Sequence, residues 1–164
     1  GEDAPRRDWY HYQLTGEGRD ALLAGRLPAR SLADSMRQYL PGLMRRRDFD
    51  LAADLQLRIA KRYERPLSGL RLTASLANDA GETTAAEREG AFRLVGEIVA
   101  QTVRDCDLVT AEQDTIKLLM PETPLDRLDA LKSRIRTRLS ESISEKFTFS
   151  LETSGVDELP ELFS

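Results

Sequence analysis

At 164 residues, 40% of them hydrophobic, and with a formal charge of −4, the chain has the size of one ordinary domain plus a short appendage. The acidic balance excludes a general nucleic-acid coat, which needs clustered cations, and the one dense basic run, Arg45-Arg46-Arg47, is too short to change that. One cysteine, Cys106, and one histidine, His11, exclude an internal disulfide, a multi-cysteine metal site and histidine-based triad chemistry. No apolar run reaches membrane-spanning length, the first residues lack the basic and apolar regions of a signal peptide, and a lone thiol fits a reducing cytosol. The expectation is a cytoplasmic domain without direct membrane insertion.

Residues 1–39 read as an N-terminal extension or linker, or a fragment of a neighbouring domain. Residues 1–8 are charged, Trp9 to Leu14 has strand-like composition, and Thr15 can cap a short helix through Leu23. The string YQLTGEGRDALL resembles the wing-to-helix step of winged-helix regulators. No recognition helix precedes it, so a complete DNA reader is not expected. Ser31 can cap a second helix to about Tyr39, stopped by Pro41-Gly42.

From residue 40 to 164 the pattern is that of one domain. A helix is expected from about Phe49 to Tyr63, with Leu51, Leu55, Ile59 and Tyr63 at i+4 steps on its apolar side, ended by Glu64-Arg65-Pro66. Leu67 to Ala74 reads as a strand. Residues 80–89 read as a polar loop that enters a helix from Phe92 to about Arg104, with Phe92, Val95, Val99 and Val103 as its stripe. Two short apolar runs, Leu108–Val109 and Ile116–Met120, flank a polar turn and predict a hairpin. Thr123 can cap a helix from Leu125 to Leu139, with Leu125, Leu128, Leu131, Ile135 and Leu139 inward. Phe147, Phe149 and Leu151 alternate with polar residues, giving a half-buried strand, and VDELPELFS holds at most a helical turn. The order helix, strand, helix, hairpin, helix, strand implies a small α/β (α+β) domain with a mixed central sheet and flanking helices.

Several stretches between about Leu40 and Leu151 also carry a family resemblance. Residues 104–121, RDCDLVTAEQDTIKLLMP, resemble the signature hairpin of GGDEF domains, the diguanylate cyclase family: R-x-x-D, a strand, the GGDEF turn, and a second strand ending in Pro. LPGLMRRRDF at 40–49 is similar to the family's LTGLxNRRxF motif, with Pro for the Thr and Arg for the Asn. PLSGLRLTAS at 66–75 resembles the first core strand, PLSLLLLDID, and Asn78-Asp79 matches a later Asn-Asp step. The resemblance implies a nucleotidyl-cyclase-like fold, and it implies that the signature is degenerate. The turn reads Glu112-Gln113-Asp114-Thr115-Ile116, so only Asp114 falls on an acidic place, and one residue is missing between Asp107 and the turn.

Joining two GTP molecules requires metal-held triphosphates and an activated 3′-hydroxyl. In the family this work falls to the strand-end Asp and to the acidic residue in the third place of the turn, while paired glycines let the backbone approach the nucleotide. Here Thr73 and Ser75 take the two Asp places, and neutral hydroxyls are poor ligands for a hard divalent cation. Glu112 and Gln113 replace the glycines. The expectation is a domain that is not an enzyme and has no metal site or cofactor.

In the family, R-x-x-D is the inhibitory site that binds cyclic di-GMP, usually as a stacked dimer. Arg104 and Asp107 match it. An Arg fork can donate to guanine O6 and N7, and an Asp carboxylate can accept from guanine N1–H and N2–H. The family site takes a second arginine from the helix after the hairpin, and counting from Pro121 through PETPLDRLDALKSRIR brings Arg134 to that place, beside the inward Ile135. Arg104, Asp107 and Arg134 are thus the expected cyclic di-GMP ligands. The resemblance implies a receptor of the PelD and BcsE kinds, found in bacterial exopolysaccharide and biofilm control, acting on a protein partner or a second copy of itself. The alternative is an interaction or dimerisation module that binds no nucleotide, in which Arg104 and Asp107 are a helix-end ion pair and Arg134 an exposed cation.

Overall fold

The computed structural model describes residues 30–78 and 81–164. The expected strand at Trp9–Leu14, the helix capped by Thr15, His11 and Asp79 lie outside the described residues. Helix α1, Leu32–Tyr39, is fixed by a capping box: Ser31 Oγ accepts the Asp34 N–H at 3.2 Å, and the Asp34 carboxylate accepts the Ser31 N–H at 3.3 Å. It precedes the boundary drawn at residue 40, yet Leu32 and Met36 are buried in the same core as the central strand.

Helix α2, Arg46–Tyr63, starts three residues before Phe49 and ends on Glu64, which takes a left-handed φ of 53°. Its buried side is Phe49 and Ala60, with Ala53 and Leu57 half-buried against them. The stripe expected to face inward points outward instead: Leu51 is 68% exposed, Leu55 50%, Ile59 39% and Tyr63 63%. Two apolar rows run along this helix, and both satisfy helical periodicity. The row containing Ala53 and Ala60 allows the closer approach to the sheet, so it takes the buried side.

Strand β1, Leu67–Leu76, is followed by α3, Ala85–Thr102, which begins seven residues before Phe92. A second capping box explains the early start: Thr84 Oγ1 accepts the Glu87 N–H, and Glu87 accepts the Thr84 N–H, both at 3.0 Å. Strands β2, Leu108–Glu112, and β3, Thr115–Pro121, form the expected hairpin around a two-residue turn, with Gln113 at φ 54°. Helix α4, Leu125–Ser142, strand β4, Phe147–Ser154, and the short helix α5, Leu159–Phe163, complete the order. Pro124, not Thr123, stands at the α4 N-cap, and no side chain caps it.

Among the described residues the strands form one sheet in the order β2-β3-β1-β4, antiparallel at every neighbouring pair. The mixed sheet expected from the element order is corrected here. The α3 crossover leaves β1 and β2 running the same way, but β3 returns between them, so no two parallel strands are neighbours. This is the split β-α-β arrangement of ferredoxin-like folds. The one parallel contact is an isolated bridge between Met44 and Thr110.

Alternate residues of β1 serve two cores. Leu70, Leu72 and Ala74 join Ile116, Leu118, Val95, Leu128 and Ile135 in the larger one, with α1, α3 and α4. Leu67 faces the other way, with Leu119, Phe49 and the α5 residues Leu159 and Leu162. On that second face Gly69 is where the sheet admits α5: a Cβ there would lie 2.5 Å from Leu159 Cδ2 and 2.7 Å from Phe163 Cζ. The C-terminal carbonyls of α5 are held by cations from the strands, Lys117 Nζ to Phe163 O at 2.8 Å and Arg71 to Leu162 O at 3.1 Å. Gly69→Val is expected to push α5 off the sheet and to lower unfolding stability in urea by about 1–3 kcal/mol. An unchanged midpoint would contradict the close approach described here.

Candidate functional site

Helix α3 stops at Thr102 because Asp107 closes a turn immediately after it. The Asp107 N–H donates to Arg104 O at 3.0 Å, and the Asp107 carboxylate accepts the Arg104 backbone N–H at 2.7 Å. In a continuing helix that N–H would bond the carbonyl four residues back, so the side chain competes with the helix and ends it. The R-x-x-D residues therefore lie in a turn beyond α3, which ends at Thr102, two residues before the expected Arg104.

The Arg104 side chain folds back over this turn. Its Nε and one Nη donate to the two Asp107 oxygens at 3.2 and 2.9 Å. The same Nη reaches Pro121 O at 3.1 Å and Thr123 Oγ1 at 2.7 Å. Hydrogen bonding to Asp107 raises the already high pKa of Arg104, so the guanidinium stays a cation. The Asp107 side chain has 0% exposure, and the Cys106 thiol, 3.7 Å away, also points to it. In this arrangement its acceptor positions are turned toward the protein. It could accept from a guanine edge only if Arg104 moved off.

Arg104 and Arg134 line one cleft of about 330 Å³, which lies between the end of α3 and α4. Thr102, Thr123, Leu131 and a third cation, Arg127, line it too. Arg127 and Arg134 are seven residues apart, two turns and roughly 10 Å along α4, so they share one side of the helix. Among the described residues neither has an ion-pair partner. Asp107 is among the residues that line an adjoining cleft of about 450 Å³, with Gly42, Met44, Val103, Asp105 and Leu108, but its side chain is not exposed there, and Arg104 forms the wall common to both. The structure thus brings Arg104 and Arg134 together and sets Asp107 behind the first of them. Arg127 was missed from the sequence, although its spacing from Arg134 would have revealed it. Arg138 lies further along and bonds Gln101.

The hairpin turn carries a different set of contacts. Asp114 Oδ1 accepts the Leu32 N–H at 3.0 Å, and the Ala33 N–H donates to Gln113 O at 2.7 Å. The turn therefore satisfies the first amides of α1, which lack partners within the helix. Thr73 pairs with Thr115 across the strands at 3.1 Å, and Ser75 with Thr148 at 2.7 Å. One carboxylate already engaged as a helix cap, beside hydroxyls engaged with each other, does not fit a divalent cation carrying a triphosphate. Among the described residues no group of three or more acidic, histidine or cysteine side chains could hold a metal.

No family model matches the chain, and no curated protein matches it. Solved structures do. The chain is similar to a DGC protein from Thermotoga maritima, at 18% identity over 71% of this chain and 83% of that one, with a TM-score of 0.58. It is similar to the GGDEF domain of DgcB from Caulobacter crescentus in complex with c-di-GMP, at 13% identity over 94% of this chain and 80% of that one, TM-score 0.60. Diguanylate cyclase SiaD from Pseudomonas aeruginosa, in complex with its activator SiaC, matches at 14% identity over 90% of this chain and 56% of that one, TM-score 0.54. The fold is GGDEF-like. Among the described residues no helix is long and apolar enough to cross a membrane.

The contacts of the turn predict a split in stability. Asp107→Asn leaves buried N–H groups poorly matched and is expected to cost about 1–3 kcal/mol in urea unfolding. Arg134→Ala, on an exposed side chain, is expected to stay within about 0.5 kcal/mol of the parent. Equal effects would show that the turn does not depend on the carboxylate.

Proposed function

We propose that this GGDEF-like domain is a receptor for cyclic di-GMP, with no cyclase activity, and that it reads the ligand with arginines on either side of the cleft between α3 and α4. The observation that carries the proposal is the shared cleft of Arg104 and Arg134, with Arg127 on the same helix side. A planar arginine fork suits both partners that the dinucleotide offers, the phosphate oxygens and the Hoogsteen edge of guanine. The loss of cyclase chemistry rests on the hairpin turn, where the remaining carboxylate caps α1. In this reading Asp107 orients Arg104 and contacts the base only after the ion pair opens. The ligand favours one arrangement of the domain against a protein partner or a second copy. The setting is second-messenger signalling in a bacterial cytoplasm.

A second reading, an interaction module without nucleotide, is favoured by one observation: the Asp107 carboxylate is engaged by Arg104 and closes the turn. Titration calorimetry with cyclic di-GMP separates the two. Substituting Arg104 or Asp107 also disturbs the turn, so Arg127→Ala and Arg134→Ala are the cleaner variants. The receptor predicts saturable heat with the parent chain and roughly 5- to 150-fold weaker binding in Arg134→Ala, as expected for loss of a bidentate arginine contact. Weaker binding is expected in Arg127→Ala as well, with the melting temperature unchanged in both. A flat titration of folded parent protein would select the module. Turnover of GTP with magnesium would overturn the inactive reading.

A further inference from the structure

The outward row of α2 is the least explained surface of the molecule. Leu51, Leu55, Ile59 and Tyr63 are four large apolar side chains at i+4 spacing, spanning three turns or roughly 18 Å of helix. A row of charges runs directly beside it at the same spacing, each residue one place earlier: Asp50, Asp54, Arg58, Arg62. The signs read minus, minus, plus, plus. That order is self-complementary under one operation only. A two-fold axis between two copies, perpendicular to α2 at the level of Gln56, sets Asp50 opposite Arg62 of a second copy and Asp54 opposite Arg58, while a parallel two-fold places the two charge rows on opposite edges of the interface, where they do not meet.

We propose that α2 is a homodimer interface, in which two copies pack antiparallel, apolar row to apolar row, with the Asp-Asp-Arg-Arg rows paired across the two-fold. The interface is isologous, as a two-fold dimer requires. Rows of residues four apart also form the ridges of the commonest helix–helix packing. Asp54 and Arg58 presently pair within the helix at 3.3 Å, both largely exposed. Such exposed pairs are weak, so exchanging the internal partner for one on the second copy costs little. An apolar groove of about 170 Å³ between α2 and α5, lined by Leu57, Leu119, Pro160 and Phe163, opens beside Asp50 and Asp54 and adds apolar surface on that side. A single crossing of two helices buries less than a standard interface, so the dimer is expected to be weak and concentration-dependent. It does not rest on nucleotide binding, because α2 contributes no residue to the arginine cleft.

Sedimentation equilibrium on the full chain, without nucleotide and over a wide concentration series, tests this. The parent is expected to move from monomer toward dimer mass, and Ile59→Lys to remain monomeric with an unchanged melting temperature at low concentration. Asp54→Arg should weaken association at least tenfold, because it sets Arg against Arg58 of the partner. The double exchange Asp54→Arg with Arg58→Asp should restore it, because the signs are complementary again. A parent that stays monomeric throughout, or an Ile59→Lys variant that associates like the parent, would overturn the interface. A double exchange no better than the single one would overturn the antiparallel pairing. Added salt should weaken the parent dimer, since its selectivity lies in exposed charges.

Discussion

The guanidinium of Arg104 holds together three segments that the chain would otherwise leave separate. It grips Asp107 before β2, the Pro121 carbonyl at the end of β3, and the Thr123 hydroxyl before α4. Thr123 is held from a second side, because the buried Ser68 hydroxyl of β1 donates to its carbonyl at 2.5 Å. The start of α4 is therefore fixed by polar contacts to the turn after α3 and to the central strand. That placement sets Arg127 and Arg134 across a cleft from Arg104. The position of the arginines follows from a hydrogen-bonded corner and not from the apolar packing of α4 alone.

The corner also accounts for residues that a comparison of motifs treats separately. The Ser of PLS and the Thr of PET bond one another through the Thr123 carbonyl, and the Arg of R-x-x-D bonds the Thr hydroxyl. At the other end of the same hairpin, Asp114 Oδ1 accepts the Leu32 N–H and Gln113 O the Ala33 N–H, so the turn meets the first amides of α1. The two ends of the hairpin have thus separated in chemistry, one closed by backbone amides and the other left with exposed cations.

The sequence was legible where pattern and geometry have one solution. The β4 alternation, the hairpin, and the inward Leu128, Ile135 and Leu139 of α4 each depend on a single period or register. It was misleading where two solutions satisfy the same rule. Helix α2 carries two rows at helical spacing, and only the fit of Ala53 and Ala60 to the sheet decides between them. Parallel and antiparallel neighbours cannot be told apart from element order once a hairpin inserts a strand between β1 and β2. The early start of α3 was written in Thr84-x-x-Glu87, a capping box on a segment whose small polar residues otherwise read as loop. The turn at Arg104–Asp107 was the hardest case, because a side chain three residues ahead competes with the helix for its amide, and periodicity carries no record of that.

Arg127 and Arg134 stand on one side of α4 with no acidic partner among the described residues, facing Arg104 across a cleft. Arg104 is compensated by Asp107, so the like charges left facing the cleft are Arg127 and Arg134, whose mutual repulsion on the exposed helix side is modest. Both positions are exposed, and an acidic side chain at either would relieve that repulsion. An anion entering the cleft removes the repulsion and gains charge-assisted hydrogen bonds at the same time. The physical case for the proposed ligand therefore lies in two cations on one side of α4, unpaired among the described residues, since the phosphates and guanine edges of a dinucleotide are of the chemical kind that arginine forks satisfy.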